Sequence, residues 1–270
     1  MPANSTIFNQ FLFLCSLQLA LIPVACGQLP DLSYKELQWL GDRVFANECA
    51  SRFDCLTSWN EGEDFPSLGI GHFIWFQSDQ DEIFEESFPA LIAFSRQRGI
   101  QIPSWLEQMD EVESPWRSRE QFYNEFESAK MSSLREFFAD STETQVAFIV
   151  HRLEQSLPTL FNDLDPQTAR LLESRFYKLA ASSRPHGLYA LIDYVHFKGT
   201  GIKPSERYAG EGWGLIQVLQ QMSSGSDPLQ DFVLAASTVL ERRVSNAPAE
   251  RNEQRWFQGW NNRLATYLPL

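Results

Sequence analysis

The chain has 270 residues, 43% of them hydrophobic and 13% aromatic, enough to bury a sizeable core and to exclude intrinsic disorder. A formal net charge of -13 and a pI near 4.8, with no clustered run of Lys and Arg, exclude a nucleic-acid or anionic-membrane surface, because counterion release needs concentrated positive charge. With 21 Phe and 8 Trp, some rings are available to line a groove as well as a core, and sugar faces stack on such rings.

In chain order, Met1 to Gly27 carries no Lys, Arg, Asp or Glu, and Phe11 to Ala25 is almost continuously apolar. That segment is short for a membrane span and reads as a secretory signal, with Ala25-Cys26-Gly27 as the small-x-small run before a cleavage point and the mature chain, residues 28–270, forming one domain. A lipoprotein whose Cys26 becomes the lipidated first residue is the second choice, and only then does the chain associate with a membrane. The expected location is therefore periplasmic or secreted. Removing the signal removes Cys15 and Cys26, leaving Cys49 and Cys55, which an oxidising compartment would join; the alternative is two reduced, partly buried thiols.

Ser33-Tyr34-Lys35-Glu36 is a capping box, and Leu37, Leu40 and Val44 recur at helical spacing, which predicts a helix from about Tyr34 to Glu48. Thr57 to Phe76 combines turn residues, two close glycines and an aromatic apolar run, as in a hairpin or small sheet. Ser87 and Pro89 open a helix ending near Gly99, and Ser118 to Gln121 caps one expected to reach Phe138. Val146, Ile149, Val150 and Leu153 form an apolar stripe, and Asp165-Pro166 and Asp227-Pro228 are cap and first-turn pairs. Helices around one small sheet in the N-terminal third define an α+β fold class.

The chemistry concentrates around Glu48 and the stretch Trp59 to His72. Glu48 follows Val44 by four positions, so it extends the apolar stripe of its helix, where partial desolvation would raise its pKa and suit it to act as a general acid. The alternative is a terminal Glu turned to water. Glu61, Glu63 and Asp64 crowd the next turn, and Ser67 precedes Gly69-Ile70-Gly71-His72. This order, a helix-terminal Glu, an acidic turn, a hydroxyl residue and Gly-Ile-Gly-His, resembles the active-site segment of phage-type lysozymes over roughly Ser33 to His72. The resemblance implies a lysozyme-like fold with a cleft between sheet and helices, Glu48 as the acid, Glu61 as the second carboxylate by its distance from Gly69, and Ser67 positioning water or a sugar hydroxyl. It implies a glycosidase acting on a β-linked amino-sugar polysaccharide, peptidoglycan first and a chitosan-like polymer second. The rival reading is a noncatalytic glycan-binding or envelope-scaffolding protein on the same fold. His72 reads as a structural or substrate-side ring.

Gly214-Leu215-Ile216-Gln217 resembles the Gly-Leu-Met-Gln run of lytic transglycosylases, with Ile216 in place of Met; the acid nearest the spacing that family uses is Asp193. Tyr208 and Trp213 are then candidate stacking rings and Gln217 a hydrogen-bonding group of a cleft wall, the alternative being a Gly-rich loop opening a core helix. The four His residues show no His-Glu-x-x-His spacing, and no phosphate-binding loop or Gly-x-Ser-x-Gly elbow is present, so no cofactor and no metal site is expected.

Overall fold

The structure is a computed structural model and describes residues 29–80, 84–223 and 225–269. The proposed signal, with Cys15 and Cys26, lies outside the described residues. Helix α1 (Tyr34–Cys49) starts where the capping box places it: the Ser33 hydroxyl accepts from Glu36 N–H, and the Glu36 carboxylate accepts from Ser33 N–H at 2.9 Å. It stops at Ala50, which adopts the left-handed conformation with φ 49°. A short turn pinned by the Cys49–Cys55 disulfide, Cα separation 5.4 Å, then leads into a three-stranded antiparallel sheet.

The sheet is minimal: β1 (Thr57–Ser58), β2 (Ser67–Leu68) and β3 (Phe73–Ile74), with Thr57 opposite Leu68 and Ser67 opposite Ile74. Gly69 sits at φ +66°, and a Cβ there would lie 2.4 Å from the Gln145 amide oxygen. That oxygen accepts from Ile70 N–H at 3.0 Å, while the Gln145 amide donates to the Phe138 carbonyl. Only glycine satisfies both the backbone sign and the close approach, so one buried amide locks the Gly69 turn to the helices behind it.

Next come α2 (Phe88–Gln97), α3 (Ser104–Glu107), α4 (Arg119–Asn124), α5 (Ala129–Asp140) and α6 (Thr142–Phe161). The single helix expected from Ser118 to Phe138 is two. The chain breaks after Glu125 because Ser128 caps a fresh start, its hydroxyl accepting from Met131 N–H at 3.2 Å. Helix α7 (Pro166–Ala181) begins at Asp165 and α10 (Pro228–Asn246) at Asp227, each carboxylate accepting two first-turn N–H groups.

Between them lies α8 (His186–Lys198), in which every residue from Gly187 to Tyr194 is buried. A helix apolar all round sits inside a layer of others; α7, α6, α10 and α9 (Leu215–Gln221) pack against it. A two-stranded hairpin, β4 (Arg207–Tyr208) and β5 (Glu211–Gly212), precedes α9, and α11 (Gln254–Ala265) closes the chain against α10. Trp75, Trp116, Phe88, Phe122 and Phe138 fill the core behind the sheet; Tyr189, Tyr194, Phe176, Phe232 and Tyr267 fill the helical half. The architecture is α+β, mainly helical with a small antiparallel sheet.

Candidate functional site

Three helices, α1, α8 and α11, place Glu48, Asp193, His196 and Arg263 in one network. Glu48 ends α1 with its side chain only 13% exposed. Arg263, from α11, donates to one Glu48 oxygen at 2.6 Å, and His196 Nε2 lies 3.2 Å from the other. Arg263 also grips Asp193 through two parallel bonds of 2.8 Å, Nε to Oδ2 and Nη2 to Oδ1. Asp193 accepts further bonds from Asn47 at 2.8 Å and from the Tyr267 hydroxyl at 2.6 Å. Asn47 reaches the Tyr189 hydroxyl at 2.7 Å, so the carboxylate of Asp193 is saturated by groups from α1, α11 and the C-terminal segment.

This arrangement reverses the expected ionisation of Glu48. Burial pushes its carboxyl upward, as the apolar stripe implied, but the His196 and Arg263 contacts outweigh that and hold it down at about 2. Glu48 is an anion at neutral pH, not a stored acid. The same network raises Arg263: burial opposes its charge, and Asp193 and Glu48 more than compensate. Tyr267 rises well above the ordinary tyrosine value through burial and the Asp193 charge.

His72 is drawn into the same cluster. It occupies a left-handed backbone position, φ 47°, its ring centroid lies 5.6 Å from that of His196, and one ligand atom each of Glu48, His72 and His196 lie within 4.8 Å of one another. Its pKa is lowered by burial and by His196, against the opposing charges of Glu48 and Glu63. Of the three acids in the turn, Glu63 is the one that acts on His72; it is half-buried and accepts from Asn60 at 3.1 Å. Glu61 and Asp64 are exposed. Glu63 and Asp64 also border a 460 Å³ depression with Trp59, Arg117 and Arg119. Ser67 is buried in the central strand β2, its carbonyl accepting from Ser58.

Next to the network lies an open cleft of about 720 Å³ between the Gly71–Phe73 end of the sheet and helices α6 and α8. Phe148, Arg152 and Ile192 line it, and His196 stands in its wall with its side chain 31% exposed. His196 therefore separates the Glu48 carboxylate from the open cleft and is the titratable group of the pair that faces it.

The second cluster of sequence candidates does not join this cleft. The Tyr208 hydroxyl donates to Glu253 at 2.9 Å, and Trp213 is buried beneath the Arg243 guanidinium, 4.0 Å from its ring. Gln217 accepts from Gly214 N–H at 3.0 Å, donates to the Gly201 carbonyl at 3.3 Å, and borders a separate 320 Å³ cavity. All three help to hold the β4–β5 loop onto α10 and α9, and none of them lines the 720 Å³ cleft. Asp193, the alternative acid, is buried and committed to Arg263; it orients that guanidinium.

Sequence reasoning missed His196 and Arg263. Asp193 and His196 are three residues apart on one helical face, the single local signal available; Arg263 carried none. Cys49 and Cys55 are joined as expected for an exported chain. Among the described residues no helix is long and apolar enough to cross a membrane. Compared with protein-family models, curated proteins and solved structures, the chain matches none.

Proposed function

We propose that this chain is an exported, lysozyme-like glycoside hydrolase that cleaves a β-linked amino-sugar polymer, with peptidoglycan as the first substrate and a chitosan-like polymer as the second. The observation that carries the reading is the Glu48–His196 pair, 3.2 Å apart, of which His196 stands in the wall of a 720 Å³ cleft bounded by the Gly71–Phe73 strand end and the helices, with Glu48 behind it. An open groove of that size accommodates a polymer, and proton transfer to a leaving oxygen needs a titratable group within hydrogen-bond reach of it.

The depressed pKa of Glu48 changes how the roles are divided. As a fixed anion, Glu48 holds His196 through Nε2 and compensates the charge of a doubly protonated ring, and it is the other ring nitrogen, Nδ1, that gives its proton to the glycosidic oxygen in this reading. Glycoside hydrolysis also draws on a carboxylate across the scissile bond. Of the turn acids, Glu63 is the candidate for that role in preference to Glu61, because its charge acts on His72 while Glu61 is exposed; it borders the neighbouring 460 Å³ depression, so a substrate serving both groups has to reach from the cleft to that depression.

The test is release of reducing ends from purified peptidoglycan and from soluble chitosan by the disulfide-intact chain. Hydrolysis of either polymer supports the reading and identifies the substrate. Retention on both polymers with no new reducing ends would replace it with the noncatalytic glycan-binding reading.

A further inference from the structure

We propose that Glu48, His72 and His196 form a binding site for a single divalent transition-metal ion of the zinc class. The three ligand atoms come from the end of α1, the turn before β3 and the last part of α8, and they already lie within 4.8 Å of one another. In a tetrahedral zinc site with bonds of about 2.0–2.2 Å, ligand atoms stand roughly 3.4 Å apart. Glu48 Oε2 and His196 Nε2 meet that spacing at 3.2 Å. A side-chain torsion of His72, whose ring is already beside that of His196, completes the triangle.

The surroundings suit a metal for three further reasons. Two imidazoles and one carboxylate are a borderline donor set, which selects Zn²⁺, Co²⁺ or Ni²⁺ over Mg²⁺ or Ca²⁺. Glu48 is oriented from behind: Arg263 holds Oε1 and is itself fixed by Asp193, which leaves Oε2 turned toward the two rings. Such outer contacts are what hold a ligand in place for a metal. The charges of Glu48 and Asp193 exceed that of Arg263 by one negative unit, so a dication entering between the two imidazoles meets a favourable field. Because His196 lines the cleft, the fourth coordination position opens toward it, as in sites where a water or a substrate oxygen completes the shell. The ion and the Glu48–His196 proton occupy the same gap and exclude each other. The inference stands on ligand geometry and does not need the glycosidase reading.

The experiment is titration of the disulfide-intact, chelator-treated chain with Zn²⁺ by calorimetry and with Co²⁺ by visible absorption. One equivalent should bind, with a cobalt d–d spectrum of low coordination number. His196→Ala, His72→Ala and Glu48→Gln should each weaken binding by about 10-fold or more, the scale on which even supporting contacts act. His151→Ala, whose ring packs on Phe94, should bind as the parent does. Circular dichroism of each variant monitors folding, and His72→Asn, which tolerates the left-handed backbone at that position, stands in should His72→Ala fail to fold. No saturable binding at millimolar Zn²⁺, or affinities unchanged in folded Glu48 and His196 variants, would overturn the proposal. Binding that appears only after disulfide reduction would assign the metal to Cys49, Cys55 and His72 and would overturn it equally.

Discussion

Glu48 and Asp193 share a single guanidinium: Arg263 reaches one oxygen of Glu48 at 2.6 Å and both oxygens of Asp193 at 2.8 Å. Two carboxylates from different helices, both largely buried, thereby depend on one cation. Loss of that cation leaves Asp193 without its counter-charge and Glu48 with His196 alone, and removes the link from α11 to the end of α1.

Arg263→Met should therefore destabilise the protein by about 3–5 kcal/mol, the range for breaking a buried ion pair from one side. Arg263→Lys should recover only part of this, because an ammonium cannot make the paired bonds to Asp193. Urea denaturation of the three proteins measures the effect.

The depressed Glu48 pKa links stability to acid pH. A carboxyl at about 2 in the folded state against the ordinary 4.5 contributes stability that is fully present above pH 4.5 and is lost as pH falls toward 2. The lost contribution is on the order of 3 kcal/mol. Unfolding free energies measured from pH 6 down to pH 2 should fall along this limb in the parent protein and fall less in Glu48→Gln.

Much of the scaffold is legible in sequence because its signals are local. The Ser33–Glu36 box, the Asp165 and Asp227 caps and the apolar stripe through Val146 and Leu153 each predict an element that forms. The break between α4 and α5 is hidden, since Ser128 is one polar residue in a periodic stretch until its hydroxyl meets Met131 N–H. The site is less legible for a different reason. Glu48 is visible at the end of its helix, but its ionisation is decided by His196 and Arg263, which arrive from distant helices. The Gly-rich aromatic stretch is a separate case: it looks like a binding loop in sequence, and in the structure Tyr208 bonds to Glu253 and Gln217 to Gly214 and Gly201, away from the 720 Å³ cleft.

Gly69→Ala should cost roughly 1–3 kcal/mol or more, since it combines a left-handed backbone with a Cβ 2.4 Å from the Gln145 oxygen. Gln145→Ala removes the contact with the amide oxygen but leaves the Phe138 ring 2.8 Å from the new Cβ and Ile70 N–H without its partner, so the double variant should remain below the parent. Thermal unfolding of both single variants and the double variant checks this coupling.

The disulfide closes a short loop beside the site. Replacing Cys49 and Cys55 together by Ser should lower stability by about 2 kcal/mol, as expected from the small loop entropy involved. Its larger effect should be on the turn after Glu48, read out as faster amide exchange from Ala50 to Leu56. Unchanged exchange there would show that the turn holds its shape without the bond.

Hydrolysis by the Glu48–His196 pair is tested most directly by the rate of reducing-end release with Glu48→Gln and His196→Asn. Each substitution should reduce the rate by about 10²- to 10⁴-fold, the usual contribution of a positioned acid or base, while co-sedimentation with the polymer and the far-ultraviolet spectrum stay at parent values. Parent-level hydrolysis by either folded variant would contradict the assignment of the pair.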